Sequence, residues 1–331
     1  NRTGAHRALP VRSRRQRLLW RRDRHIMSDQ YQQYSTVKKY WQLMRPHTLT
    51  AAVVPVLVGT AAAKIYLLGS EDHLKFSLFL AMLVACLLIL AATNMFNEYN
   101  DFKKGLDDHT SVGIGGAIVR NGMSPKQVMN LAIAFYIIAA LLGIFLAIQS
   151  SFWIIPVGIV CMAIGYLYTG GPIPISWTPF GELFSGLFMG MIIILLSFFI
   201  QTGNVQGYAV WLSIPIVITI GLINMGNNIR DRVKDKASGR KTLPILLGNR
   251  ASVIFMAIMY AIAYIIVIIT AFFKPAGSIF YLLILLSFPM PIKAMRRFNK
   301  NDTPETMMPA MAATGKTNTF FGLLYALGIY I

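Results

Sequence analysis

Long stretches with no charged side chain alternate along this chain with short polar breaks. The stretches 76–97, 128–148 and 252–273 contain no Asp, Glu, Lys or Arg. About 20 apolar residues in a helix cross the hydrocarbon of a bilayer, and core helices of soluble proteins seldom run so long without charge. The pattern predicts nine spans, at about 48–68, 76–97, 128–148, 152–168, 181–201, 208–228, 252–273, 278–292 and 317–331. The fourth and eighth are short, as for helices tilted less or partly sunk in protein. Before the first, residues 38–45 mix Lys, Tyr, Trp and Arg, the composition of a short helix at the membrane edge, and Pro46 then opens the first span.

Composition agrees. The 331 residues are 55% hydrophobic and 13% charged, whereas a soluble domain carries about a quarter charged residues. Cys86 and Cys161 lie inside apolar runs and read as small buried hydrophobes, neither a disulfide nor metal ligands. The net charge of +18 raises the question of nucleic acid, and its distribution answers it. Residues 1–26 carry nine Arg and one Asp, and the other bases concentrate in alternate loops. That pattern sets orientation in a membrane and suits anionic lipid or diphosphate, so no nucleic-acid partner is expected. Arg-rich loops place the N-terminus and the loops after spans 2, 6 and 8 in the cytoplasm, and an odd number of spans puts the C-terminus outside. Residues 1–26 lack the apolar centre of a signal peptide, and Met27 reads as a natural start. Residues 1–26 are therefore expected to be a basic extension, either not native or disordered.

The most informative polar residues end the second and sixth apolar runs. Asn94-Met95-x-Asn97-x-x-x-Asp101-x-x-Lys104 recurs 130 residues later as Asn224-Met225-x-Asn227-x-x-x-Asp231-x-x-Lys234. A fixed offset points to an internal repeat in which each half contributes one polar helix end. Asn94, Asn97 and Asp101 share one helical face, and Asn224, Asn227 or Asn228, Asp231 and Asp235 share another. Two faces of hard oxygen ligands suit Mg²⁺, which takes carboxylates together with phosphate oxygens. Both faces sit on the same side of the membrane among Lys and Arg, which favours a metal-bridged anion over cation transport. In a membrane the rest of such a substrate is a lipid, so the residues point to a polyprenyl diphosphate.

These motifs resemble those of the UbiA superfamily of intramembrane aromatic prenyltransferases. Its first Asp-rich motif, roughly NDxxDxxxD, corresponds to Asn97-Glu98-x-x-Asp101-x-x-x-Gly105-x-Asp107, and its second, DxxxDxxxG, to Asp231, Asp235 and Gly239. The resemblance covers about residues 38–331. Arg45-Pro46-His47-Thr48, Tyr168-Thr169-Gly170-Gly171-Pro172 with Gly181-Glu182, and Asn227–Asp231 through Gly239-Arg240-Lys241-Thr242-Leu243 resemble the branch that prenylates 1,4-dihydroxy-2-naphthoate in menaquinone synthesis. There are two departures. Glu98 stands where the family has Asp, and the third acid is displaced to Asp107 or Asp108. The Tyr-x-x-x-Lys element of other branches is absent, since Gly170 follows Tyr166 at that spacing.

The resemblance implies an all-α polytopic membrane protein, nine helices around a central apolar cavity capped by cytoplasmic loops, with residues 27–331 as the prenyltransferase domain. It implies Mg²⁺ held by Asn97, Asp101, Asp107, Asn228, Asp231 and Asp235. Lys103, Lys104, Arg120, Arg230 and Lys241 would neutralise the diphosphate, with Asp101, Asp231, Asp235 and Lys241 at the centre of catalysis. Arg45 would face the site from the first span. Glu182 either sits favourably at a helix start or orients the naphthoate hydroxyls. Gly113–Gly116 is either a phosphate-binding nest of amides or a cap loop. An allylic cation formed in a dry cavity would be attacked by the naphthoate ring, with loss of CO₂ and diphosphate, giving demethylmenaquinone. The expected setting is a bacterial cell membrane, with lipid around the spans. The rivals are a UbiA-type enzyme using 4-hydroxybenzoate, homogentisate or haem, and a cation transporter.

Overall fold

The computed structural model describes residues 35–107, 116–273, 276–300 and 303–331. The basic extension, Asp108 and the glycines of 113–115 fall outside these residues.

The described chain is helical, with α1 Thr36–Leu43, α2 Thr50–Leu67, α3 Phe76–Lys103, α4 Pro125–Gln149, α5 Ile154–Leu167 and α6 Gly181–Thr202 in the first part. It continues with α7 Gly207–Ala237, α8 Leu243–Leu247, α9 Asn249–Thr270, a 3-10 segment Ile279–Ser287 leading into α10 Pro289–Lys300, and α11 Pro304–Tyr330. Among the described residues seven helices are long and apolar enough to cross a membrane: α2, α3, α4, α6, α7, α9 and the composite Ile279–Lys300. The chain is a multi-pass membrane protein, and nine spans are two more than this criterion supports. The expected fourth span is the 14-residue α5, too short to cross unaided. The expected ninth belongs to α11, where Lys316, Thr317, Asn318 and Thr319 dilute the apolar run.

Two expected boundaries move in a way that matters for the site. α3 runs to Lys103, six residues past the expected end of its span, and α7 runs to Ala237, nine past. Asp101, Asp231 and Asp235 thus lie on continuations of the spanning helices and not in loops, while Asp107 follows the end of α3. A rigid helix fixes the direction of each acid far better than a loop would.

Packing relies on small residues, as expected where the hydrophobic effect cannot drive helix association. Gly186 and Gly190, one turn apart on α6, lie against the backbone of Val217 in α7; a Cβ on Gly190 would come 3.0 Å from Val217 Cα. The seven residues Gly186–Ile192 form a π-helical stretch within α6. Gly59 brings α2 against the backbone of Ile194 in the same helix. Polar side chains tie the second half together. Thr219 of α7 donates to Asn318 Oδ1 of α11 at 2.9 Å, and Trp211 Nε1 donates to Thr270 of α9 at 2.7 Å.

Candidate active site

The ends of α3 and α7 meet. Asp101 and Asp235 lie in the last turns of their helices, where the negative end of the macrodipole disfavours an acid. One cation answers both. Arg240 places Nη2 3.0 Å from Asp101 Oδ1 and Nη1 3.2 Å from Asp235 Oδ1. The turn that delivers it is local. Gly239, at φ +84°, reverses the chain after α7, and the Arg240 N–H closes back onto Asp235 O at 3.0 Å. A second bridge joins the same ends, with Lys234 Nζ 4.0 Å from Asp107 Oδ1. Burial pushes the Asp107 carboxyl above its usual range, Glu98 adds to this, and Lys234 opposes it.

Arg240 is the residue that the sequence reading left out of the site. The reading chose its neighbour Lys241, which is exposed and whose backbone N–H donates to Trp177 O at 2.8 Å. The signal was present, since Arg240 is the first side chain after a helix-stopping glycine and is thus turned back toward the helix end. Lys104 joins Arg240 at the same place. Its ammonium is 5.3 Å from the Trp177 ring centre, the Arg240 guanidinium is 5.9 Å from it, and Lys104 donates to Thr169 O at 2.6 Å. Burial lowers the Lys104 ammonium from its ordinary range, Asp101 opposes this, and Arg240 adds to it. Lys103 is exposed, 6.0 Å over the Tyr99 ring.

Asn97 accepts from Thr169 Oγ1 at 2.7 Å. Asn228 donates to Glu182 Oε1 at 2.8 Å, and Glu182 Oε2 is buried without a partner among the described residues. Asn224 donates to the Tyr168 hydroxyl at 2.6 Å, and Asn94 donates to Met44 O and Thr48 Oγ1, each at 3.1 Å. The first Asn of each repeat thus secures neighbouring chain.

Asp231 accepts a two-pronged bond from its neighbour Arg230, at 2.8 and 2.6 Å. The remaining Arg230 nitrogen reaches the sulfurs of Met308 and Met311 in α11. Arg120 lies across Gly116 in the turn that follows the first acidic end. Arg45 holds the left-handed conformation at φ +53°, alone among described non-glycine residues, and pairs with Glu98 at 3.3 Å.

Below the helix ends lies a cavity of about 440 Å³. Arg45, Asn94, Asn97, Asn224 and Asn227 form its polar end. Its apolar walls come from α2 through α7, including Ala52, Met82, Ile144, Ile159, Phe188 and Ile223. From Asn97 to Met82 along α3 is about 22 Å of helix. Such a space takes a long apolar chain with a charged head.

Among the described residues no three Asp, Glu, His or Cys side chains come together as a ready-made metal cage. Mg²⁺ does not need one, since it is commonly held by one or two carboxylates plus substrate phosphates. Asp101 and Asp235, close enough to share one guanidinium, fit that mode.

Comparison with known proteins points the same way. Residues 52–324 match the UbiA prenyltransferase family. A 1,4-dihydroxy-2-naphthoate octaprenyltransferase of Bacillus subtilis (strain 168) is 52% identical over 291 residues, covering 88% of this chain and 92% of that protein. The protein of the same description from Mycobacterium tuberculosis (strain ATCC 25618 / H37Rv) is 27% identical over 286 residues, covering 85% and 93%. In fold, the apo structure of a UbiA homolog from Aeropyrum pernix K1 superposes with a TM-score of 0.64 at 14% identity, covering 86% of this chain and 97% of that one. A UbiA homolog from Archaeoglobus fulgidus bound to DMAPP and Mg²⁺ gives 0.61 at 15% identity, covering 88% and 99%.

Proposed function

The chain belongs to the UbiA prenyltransferase family, and from that premise we propose that it transfers a polyprenyl group from polyprenyl diphosphate to 1,4-dihydroxy-2-naphthoate, releasing CO₂ and diphosphate and giving demethylmenaquinone. The observation that carries the reaction class is the double bridge from Arg240 to Asp101 and Asp235, which brings acids and a base from the two motifs to one point above an apolar cavity. The acceptor rests on the 52% identical relative and on the branch-specific run Gly239-Arg240-Lys241-Thr242-Leu243.

Asp101 and Asp235, with Asn97, Asp107, Asn228 and Asp231 around them, would hold Mg²⁺. When bound, the ion offsets diphosphate charge as the allylic C–O bond breaks. Arg240 and Lys104 present positive charge at the same place, where removing one positioned charge typically costs about 3 kcal/mol of barrier. The cavity walls take the prenyl chain and keep water from the allylic cation. Glu182, held by Asn228 with one oxygen free, accepts a hydroxyl proton of the naphthoate as the ring attacks. The acid-bearing ends face the cytoplasm, in keeping with the basic loops around them, and the enzyme lies in a bacterial cell membrane.

Purified protein supplied with Mg²⁺, polyprenyl diphosphate and dihydroxynaphthoate tests this directly. Prenylated product with one CO₂ per turnover is the expected result. Turnover of 4-hydroxybenzoate, homogentisate or haem in its place would reassign the acceptor. Ion flux without any conversion would make the protein a transporter.

A further inference from the structure

Glu98 occupies a motif position where the family resemblance has an aspartate, yet its carboxylate is engaged by the cap segment and by Arg45. Its side chain is 2% exposed. Oε1 accepts from the Gly116 N–H at 2.8 Å and from the Ile118 N–H at 3.2 Å. Oε2 accepts from the Gly116 N–H at 2.9 Å and from Arg45 Nη2 at 3.3 Å. Three donors hold the carboxylate, with the Gly116 N–H shared between its two oxygens, so both oxygens are engaged within the protein. The amides that hold Glu98 form a nest of the kind that binds anions, so Gly116, one candidate for a phosphate nest, already carries an internal carboxylate.

The clamped segment is the start of the cap after the first acidic end. Ala117, Ile118 and Met123 bury their side chains against Leu43, Met95 and Val128, so the cap is packed on α3 as well as bonded to it. Arg45, the other partner, lines the polar end of the cavity from a left-handed backbone position. Ordinary residues hold that conformation only where the surroundings impose it. Glutamate is needed for this reach. Aspartate is a methylene shorter, and 2.8–3.2 Å contacts stretched by that length are no longer hydrogen bonds.

We propose that Glu98 is a positioning residue, not a metal ligand: its carboxylate fastens Gly116–Ile118 over the helix ends and aims Arg45 at the head of the cavity. This rests on the reading of the cavity as the prenyl diphosphate site. The test compares Glu98→Gln, Glu98→Asp and Arg45→Gln with the parent protein, purified and monodisperse. Three quantities are read: Mn²⁺ binding by electron paramagnetic resonance with inorganic diphosphate present, the rate of tryptic cleavage after Arg120, and KM against kcat for polyprenyl diphosphate. Mn²⁺ affinity should stay within about threefold in all three variants, because no ligand is lost. Cleavage after Arg120 should speed up in both Glu98 variants, as a released segment opens more often. KM should rise about tenfold while kcat changes less, the mark of lost ground-state binding.

A tenfold or greater loss of Mn²⁺ affinity in Glu98→Gln, with Glu98→Asp like the parent, would make Glu98 a ligand and overturn the proposal. Unchanged cleavage and KM in both Glu98 variants would overturn it equally. If one Glu98 variant does not fold, the other and Arg45→Gln still decide the matter. A parent protein that does not turn over dihydroxynaphthoate would refute the acceptor assignment, while the Mn²⁺ and cleavage measurements would still judge Glu98.

Discussion

Arg240 stands where two acids from distant parts of the chain come within reach of one guanidinium, with its Nε buried and unpartnered among the described residues. Replacing it removes a positioned charge and leaves Asp101 and Asp235 facing each other. Arg240→Gln should therefore lower kcat/KM by about 10²–10³-fold, and by more than Lys241→Gln, as steady-state assays on both variants would show. Asp101→Asn and Asp231→Asn should each abolish turnover while the protein stays folded and membrane-inserted; full activity in either would refute the metal assignment. The acids were legible because they repeat at a fixed offset on one helical face. Arg240 was not, because the sequence lines up several bases after Asp235 and only the turn at Gly239 selects one of them.

At the scale of the element, small residues set how closely the helices approach. Gly186 and Gly190 bring α6 onto Val217 of α7, and the π-helical stretch that contains them carries Phe188 and Met189 into the cavity wall. π-helical turns are rare and recur at functional sites, where they turn side chains off the regular helical face. A methyl group at position 186 meets the Val217 backbone, which cannot rotate away. Gly186→Ala should therefore destabilise the protein by about 1–3 kcal/mol, seen as a lower melting temperature in detergent with the Glu182–Asn228 contact disturbed. The helices themselves were readable from uninterrupted apolar runs. Their ends were not, since α3 and α7 stay helical through charged residues once packing and ion pairs hold them.

Across the whole molecule the repeat extends beyond the motifs. Adding 130 to the bounds of α2 gives 180–197, all but the first residue within α6, and the same step carries α3 onto 206–233, all but the first residue within α7. The halves have nevertheless diverged. The first half, α2 to α5, encloses the cavity together with α6 and α7 of the second, while the later helices of the second bury Tyr260, Tyr264, Tyr281, Tyr325 and Phe321. The helices α2 to α7 leave space for an apolar chain, and those after them stay packed. Gly143 and Gly158 line the cavity, and a Cβ at either would meet no atom within 4 Å. Gly143→Phe should thus be tolerated and should shift turnover toward shorter prenyl donors, as competition between long and short diphosphates would measure. Removal of residues 1–26 should leave activity within about twofold, since surface changes remote from a site usually have small effects. A dead truncation would show the basic extension to be part of the enzyme.

The amino-acid sequence alone determined that the chain is helical and spans a membrane, because apolar length is a property of consecutive residues. It also determined that two acid-bearing ends exist, because helical periodicity and a repeat are written in spacing. Only the tertiary structure decided which base joins those ends, that Glu98 turns to the cap, and that the open space lies among α2 to α7 and not the later helices. Each of these depends on distances between residues 18 to 139 positions apart in the chain, and such distances are fixed by packing rather than by local preference.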